Sequence, residues 1–336
     1  MFTHEGTRKW LLYTFLGMIA DALDIILTSE TPYKRSITVS KFWPCCIPQS
    51  SYSGMQPSDV DQLSNEEILK LRKNATKLDP NSNVIKLTPG TVAKSSQDVD
   101  EDVSDASEAN TLDLLFAETT IPVPRVRRVI KCKWDFLIVM DYIPGQTLAQ
   151  VWPTLSIWRK ILVAFTLRRY VRQLRRLKAS ASTPPGPLGT QGARTCSSPI
   201  FGGVQPERGP FASYSELSTF FNQRQKMAFN AQKLPLDNPW RNVSFDNSEP
   251  LVLTHQDLNL RNIIKGEDGR LWIIDWAWAG YYPPWFEYVA MRRQNEDDRI
   301  SGTNDKFWKA SIPFICGPYF RQESWLWRMS YGLYLV

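Results

Sequence analysis

Histidine is almost missing from this chain. Only His4 and His255 occur, which excludes chemistry that rests on a histidine cluster and any multi-histidine metal site. Cysteine is sparse and odd in number: Cys45, Cys46, Cys132, Cys196 and Cys316 are scattered, with no Cys-x-x-Cys spacing. Neither a disulfide scaffold nor a structural zinc is expected. Glycine is low, at 17 residues, and no glycine-rich phosphate loop is evident. Long apolar runs are missing too. The nearest is the uncharged stretch 10–20, preceded by Arg8 and Lys9 and followed by Ala20-Asp21-Ala22. It imitates a signal peptide but falls short of the about 20 apolar residues that span a bilayer. Asp21 and Asp24 interrupt its continuation, so an amphipathic or partly ordered extension is expected.

What is present is ordinary for a folded protein. Hydrophobic residues at 43% and charged residues at 22% exclude wholesale disorder, a collagen-like fibre and a coiled coil. The 336 residues suit two folding units or one two-lobed enzyme, because single cores stop growing at about 250–300 residues. A net charge of +6 is too mild to indicate nucleic acid.

Residues 29–62 carry Ser, Thr, Pro and Gln without periodicity and read as a linker. Ser64 with Glu67 is a capping-box pattern opening a short helix. Runs 84–87 and 91–94 around Thr88-Pro89-Gly90 predict a hairpin. An acidic segment (Asp98, Asp100, Glu101, Asp102, Asp105) leads into a helix over 107–118, with Ala109, Leu112, Leu115 and Phe116 on one side. Ile121-Pro122-Val123-Pro124 breaks that helix, and 126–131 with 136–140 form a strand pair. Past Asp141-Tyr142-Ile143-Pro144-Gly145 the pattern turns helical. Residues 157–178 predict a long surface helix whose basic face (Arg168, Arg169, Arg172, Arg175, Arg176) is solvated or paired with the acidic segment. Residues 180–212 read as a long irregular insertion.

The chemistry is concentrated between residues 251 and 276. Leu253-Thr254-His255-Gln256-Asp257 leads through Asn262 to two apolar runs separated by Gly266-Glu267-Asp268-Gly269-Arg270, a hairpin signal. A hairpin centred between Asp268 and Gly269 pairs Asn262 with Asp275 at its open end. An amide oxygen beside a carboxylate suits a hard cation such as Mg²⁺, which takes few protein oxygens. Asp257, across a tight loop, is placed to accept a proton from an attacking hydroxyl. Base, metal amide and metal carboxylate in this order are the layout of phosphoryl transfer, and His-x-Asp-x-x-x-x-Asn is the spacing of a kinase catalytic loop. His255 is expected to be structural.

A phosphate-binding lysine held by a helix glutamate should then lie upstream. Lys94, ending the second strand of the hairpin, with Glu108, opening the helix, is the preferred pair; Lys86 is the rival, and a plain surface lysine is the alternative for either. Asn81-Ser82-Asn83 stands where a glycine-rich loop would. Met140-Asp141-Tyr142-Ile143 has the apolar-then-polar character of a hinge whose backbone reads adenine, which makes Asp141 and Ile143 nucleotide-binding candidates.

Residues 253–291, with Thr-His-Gln-Asp-Leu-Asn-Leu-Arg-Asn, Trp-Ile-Ile-Asp-Trp and Ala-Gly-Tyr-Tyr-Pro-Pro-Trp-Phe-Glu-Tyr, resemble the aminoglycoside phosphotransferase (APH) family of kinase-like proteins, most of all its fungal members. Segments 121–126, 139–148, 199–203 and 314–318 add to the resemblance, which spans roughly residues 63–334. It implies an α+β, two-lobed protein-kinase-like fold with a β-rich small lobe and a mainly helical large lobe. The expected organisation is an extension and linker over 1–62, a small lobe over 63–140 and a large lobe over 141–336. It also implies ATP in the cleft, Asp257 as catalytic aspartate, Asn262 and Asp275 as metal ligands, and Lys94 with Glu108 as the phosphate-lysine pair. Gln256 departs from the pattern, standing where a small glycine is common.

The expected activity is ATP- and Mg²⁺-dependent transfer of a phosphoryl group to the hydroxyl of a small molecule. The alternative is a pseudokinase scaffold. Glu287, Glu296, Asp297 and Asp298 are candidates to line an acidic acceptor pocket or to be surface charge, with Glu287 also a candidate structural partner of the lower lobe. No nucleic-acid, obligate protein or membrane-inserted partner is expected. A cytoplasmic location is, with secretion or membrane-surface association through residues 8–28 as the alternative.

Overall fold

The computed structural model describes residues 4–29, 57–79, 82–96, 105–202, 207–300 and 305–335. It opens with the 26-residue helix α1 (His4–Ser29). Helix α2 (Asn65–Asn74) starts at the expected capping box. The Ser64 hydroxyl accepts from the Glu67 N–H at 3.3 Å, and the Glu67 carboxylate accepts from the Ser64 N–H at 2.8 Å. Two otherwise orphaned donors are thereby satisfied.

Strands β1 (Thr76–Lys77), β2 (Val84–Lys86) and β3 (Thr91–Ser95) are followed by helix α3 (Ser107–Glu118) and then by β4 (Val126–Lys131) and β5 (Phe136–Asp141). They form one antiparallel sheet in the order β1-β2-β3-β5-β4. The side-chain period of two sorts its faces. Leu137 and Val139 of β5 meet Ile68 of α2, Leu87 and Val60 on one side. Phe136, Ile138 and Met140 join Leu112 and Leu115 of α3 on the other. The same alternation puts Val92 on the α3 side and Ala93 opposite, so Lys94 comes from β3 toward α3. Because Val60 is buried in the outer cluster and Asp61 lies 3.6 Å from Arg127, residues 58–62 pack with this sheet instead of forming linker. Of the expected linker, Ser29 ends α1, and residues 30–56 lie outside the described part.

After residue 144 the chain becomes mainly helical. It runs through β6 (Gly145–Thr147), α4 (Leu148–Val151), α5 (Ile157–Leu174), β7 (Cys196–Ser197), β8 (Glu207–Arg208) and α6 (Tyr214–Ala231). Strands β9 (Val252–Thr254), β10 (Ile263–Gly266), β11 (Leu271–Ile273) and β12 (Gly280–Tyr282) precede α7 (Trp285–Ile300), α8 (Lys306–Cys316), α9 (Phe320–Met329) and α10 (Tyr331–Tyr334). An aromatic cluster of Phe201, Phe221, Phe245, Trp285, Phe286 and Trp325 fills the centre of this lobe, with many ring pairs edge-on, a favoured geometry. The two-lobed α+β architecture is the one expected. The 180–212 insertion is less loose than its composition suggests, since Cys196, Ser198, Ile200 and Phe201 are buried.

Helix α5 stops at Leu174, short of the expected end. Among the described residues the basic face has an acidic partner on α1. Arg168 grips Asp21 of α1 with two 2.9 Å bonds, and Arg172 lies 3.2 Å from the same carboxylate. The N-terminal segment is therefore a docked helix. No helix among the described residues is long and apolar enough to cross a membrane.

Candidate active site

Two short antiparallel ladders frame the polar loop. Strand β9 pairs with β12, and β10 pairs with β11 in the register Ile263↔Ile273. That register differs by one residue from the expected hairpin. Gly269 adopts φ +79°, and the Gly266 N–H reaches the Arg270 carbonyl at 3.0 Å, so the loop holds three residues with a left-handed glycine at its end. The centre moves to Asp268. Asn262 then faces Ile274, whose N–H donates to the Asn262 carbonyl at 3.0 Å, and Asp275 follows as the first residue past the pairing. Asp275 itself takes φ +64°, a conformation costly for a non-glycine residue, and this bend swings its side chain toward the small lobe.

His255 locks the loop to that bend. Its Nδ1 accepts from the Asp257 N–H at 3.0 Å, which leaves the proton on Nε2 to donate to the Ile274 carbonyl at 3.0 Å. Burial pushes its pKa down to about 4, so the ring is neutral and structural, as the sequence predicts. The Glu287 carboxylate accepts the His255 N–H at 2.5 Å, and burial pushes its pKa up to about 7 against the pull of the His255 and Gln256 N–H groups. Glu287 is thus a buried brace of the loop and no part of an acidic acceptor pocket. The side chains of Glu296, Asp297 and Asp298 lie outside the described residues.

Gln256 explains its own departure from glycine. Its φ is +63°, where a Cβ is penalised. Its side chain compensates by accepting from the Ser198 hydroxyl at 2.7 Å and donating to the Trp278 carbonyl at 3.3 Å. Gln256→Ala loses both bonds and keeps the strain, whereas Gln256→Gly loses the bonds but relieves it. Chemical denaturation should therefore rank Gln256→Gly above Gln256→Ala by about 1 kcal/mol, with the parent above both.

Asp257 accepts from the Asn262 side chain at 2.7 Å and from the Asn259 side chain at 2.9 Å. Burial, followed by the nearby Asp275 charge, pushes its pKa up to about 7 against these bonds. Lys94 reaches across from β3: its ammonium lies 2.8 Å from Glu108 and 2.6 Å from Asp275. Burial opposes the charge on Lys94, but Glu108 and Asp275 together raise its pKa. Glu108 is buried and also accepts the Trp276 N–H at 3.0 Å; burial drives its pKa up. Asp275 is 43% exposed, and although burial works against it, Lys94 holds it below the ordinary carboxylate range. Lys94, Glu108 and Asp275 are in direct contact, and Asp257 and Asn262 form the adjoining pair.

A family model described as "Phosphotransferase enzyme family", APH, matches residues 83–310. The chain belongs to the phosphotransferase enzyme family. By that membership it is a phosphotransferase enzyme. Similar solved structures include the ADP-bound aminoglycoside phosphotransferase APH(2'')-Ib, with 14% identity, 81% of this chain and 91% of that chain covered, and a TM-score of 0.46. The streptomycin–ATP complex of APH(2'')-IIa shares 14% identity over 81% and 87% of the two chains, with a TM-score of 0.44. A ternary complex of APH(4)-Ia with ADP and hygromycin B shares 14% identity over 81% and 97%, with a TM-score of 0.40. No curated protein matches the chain.

The remaining candidates of this phosphotransferase differ from expectation in their details. Lys86 places its ammonium 3.5 Å from the centre of the Tyr142 ring, and its pairing is with that aromatic face instead of Glu108. The side chain of Asp141 is taken by Arg127, with bonds of 2.6 and 3.1 Å. The Asp141 and Tyr142 N–H groups are taken by the Arg125 and Gly90 carbonyls at 3.0 and 2.9 Å. A cavity of about 500 Å³ touches Asp141, Tyr142 and Ile143, with Phe116, Arg125 and Trp272 among its walls; Lys94, Asp257, Asn262 and Asp275 do not line it. Asn81 of the expected phosphate loop and the acidic residues 98–102 lie outside the described residues.

The donor chemistry suits a divalent cation. Glu108 and Asp275 share one lysine, and the Asp275 charge also reaches Asp257, a concentration of negative charge that a cation relieves. Asn262 spends its amide nitrogen on Asp257, which leaves the amide oxygen as a hard donor. Among the described residues no group of three or more His, Cys, Asp or Glu side chains forms a complete metal cage.

Proposed function

We propose that this phosphotransferase moves the γ-phosphoryl group of ATP to a hydroxyl of a small molecule, with the small lobe before the 140/141 boundary and the large lobe after it. The observation that carries the reading is the double grip on Lys94 by Glu108 and Asp275 beside the Asp257–Asn262 pair. It supplies a fixed cation for the nucleotide phosphates, carboxylate and amide oxygens for Mg²⁺, and a base, which is the set that phosphoryl transfer requires.

In this assignment Lys94 is positioned by Glu108 to contact the phosphates. Asp275 and the Asn262 amide oxygen hold Mg²⁺, which when bound neutralises charge on the phosphate oxygens. Asp257 orients the acceptor hydroxyl and takes its proton as the oxygen attacks phosphorus and ADP leaves. Its Asn259 and Asn262 bonds fix the direction in which the carboxylate points. The adenine contact rests on the main chain at Asp141 and Ile143, because the Asp141 carboxylate is committed to Arg127. The motifs of residues 253–291 further suggest a place among the fungal members of the family.

The test is thermal stability with and without ATP and Mg²⁺, on the parent and on Asp275→Ala. A ligand that binds only the native state at a hundred times its Kd stabilises by about 2.7 kcal/mol. A magnesium-dependent rise in melting temperature that disappears in Asp275→Ala is the expected result and would justify an acceptor screen. No rise at millimolar nucleotide in a folded parent would move the weight to a scaffold that does not transfer phosphate.

A further inference from the structure

Helix α1 is docked inside out. At about 100° per residue, Tyr13, Gly17, Ala20 and Asp21 share one face. That face meets the body: Tyr13 lies 6.2 Å from Phe320 ring to ring, Gly17 abuts the Arg168 guanidinium, Ala20 is buried, and Asp21 is gripped by Arg168 and Arg172. The opposite face carries Leu11, Leu12, Phe15, Leu16, Met18 and Ile19, which are 41–66% exposed. A surface helix normally buries its large apolar residues and exposes its small and polar ones. Here the body accepts the glycine, the alanine and the aspartate, and solvent receives the leucines and the phenylalanine.

The outward residues spread over about 160° of the helix, a broad apolar face. A surrounding apolar medium covers such an arc better than a single partner helix. The charges agree. Asp21 is the only acidic residue between positions 8 and 22, and it is turned inward and neutralised. Arg8 falls on the outward face at its N-terminal end, with Lys9 at the edge, 2.6 Å from Glu5. A net cationic end beside a broad apolar face suits the headgroup boundary of a bilayer. Helix α5, which receives α1, also exposes Ile157 and Trp158.

We infer that α1 is an interfacial helix that seats this enzyme on an anionic lipid surface, lying in the plane of the membrane without crossing it. The test uses the full chain in a vesicle flotation assay, with phosphatidylcholine vesicles and with vesicles that also contain phosphatidylserine. The expected result is co-flotation with the anionic vesicles, reduced by about tenfold or more in Phe15→Glu/Ile19→Glu and weakened by salt. Because both side chains are exposed, the melting temperature of that variant should match the parent, which separates lost binding from lost folding. The inference fails if the parent does not float, or if the double variant floats as well as the parent. It also fails if lipid-free sedimentation shows self-association that the same variant abolishes while flotation is absent, an outcome that assigns the face to a second copy.

Discussion

Asp257→Asn should lower phosphoryl transfer by roughly 10²–10⁴-fold, the range over which a positioned general base contributes. The variant keeps the size of the side chain and one acceptor oxygen for the Asn259 and Asn262 amides, so nucleotide-dependent stabilisation should survive. Turnover and ligand-induced melting shift, measured on the same preparation, separate the two. Loss of both together would mean that Asp257 holds the loop and does not act on the acceptor.

The acidity of Asp257 gives this prediction a second readout. Its pKa in the folded protein is about 7, against 3.8 for an ordinary aspartate. The pH profile of kcat/KM, which reports the free enzyme, should therefore rise on the acidic side through about 7 and level above it. That limb should vanish in the residual activity of Asp257→Asn. Stability moves the opposite way. Between about pH 4 and 7 the unfolded chain has lost the proton that the folded chain retains, so the folded state weakens as pH rises across this window and is unaffected by Asp257 below it. Glu287, also at about 7, adds to the slope with the same sign.

The layout of the loop is legible because it is local. His255, Asp257, Asn262 and Asp275 sit within 21 consecutive positions of the sequence, and their order alone prescribes a loop followed by a hairpin. The helix Ser107–Glu118 was equally readable, since its apolar period ends abruptly at Ile121-Pro122. What escaped depends on one backbone torsion or on distant partners. A left-handed Gly269 adds the residue that shifts the hairpin register. Asp141 reads as part of a polar hinge, and only the fold brings Arg127 to its carboxylate. Asp21 and Arg168 are 147 positions apart, so nothing in the first 30 residues announces that they form a docked helix. Gln256 was visible as an anomaly, but its compensation by Ser198 and Trp278 was not.

Lys94→Met should cost more stability than any other single change at the site. It leaves Glu108, only 3% exposed, with the Trp276 N–H as its remaining bond, and removing one partner of a buried ion pair costs about 3–5 kcal/mol. Asp275 loses less from the same change, because its exposed side chain regains water. If the buried charge of Glu108 is the cause, Lys94→Met/Glu108→Leu should recover much of the loss, since apolar replacement of both partners is often close to neutral. The double-mutant cycle then gives a large coupling term. Stability and function part company at this point. The double variant should fold well yet show no ATP-dependent rise in melting temperature, because the cation for the phosphates is gone. A recovered melting temperature with an intact ATP shift would remove Lys94 from the nucleotide site and leave it as a structural pair.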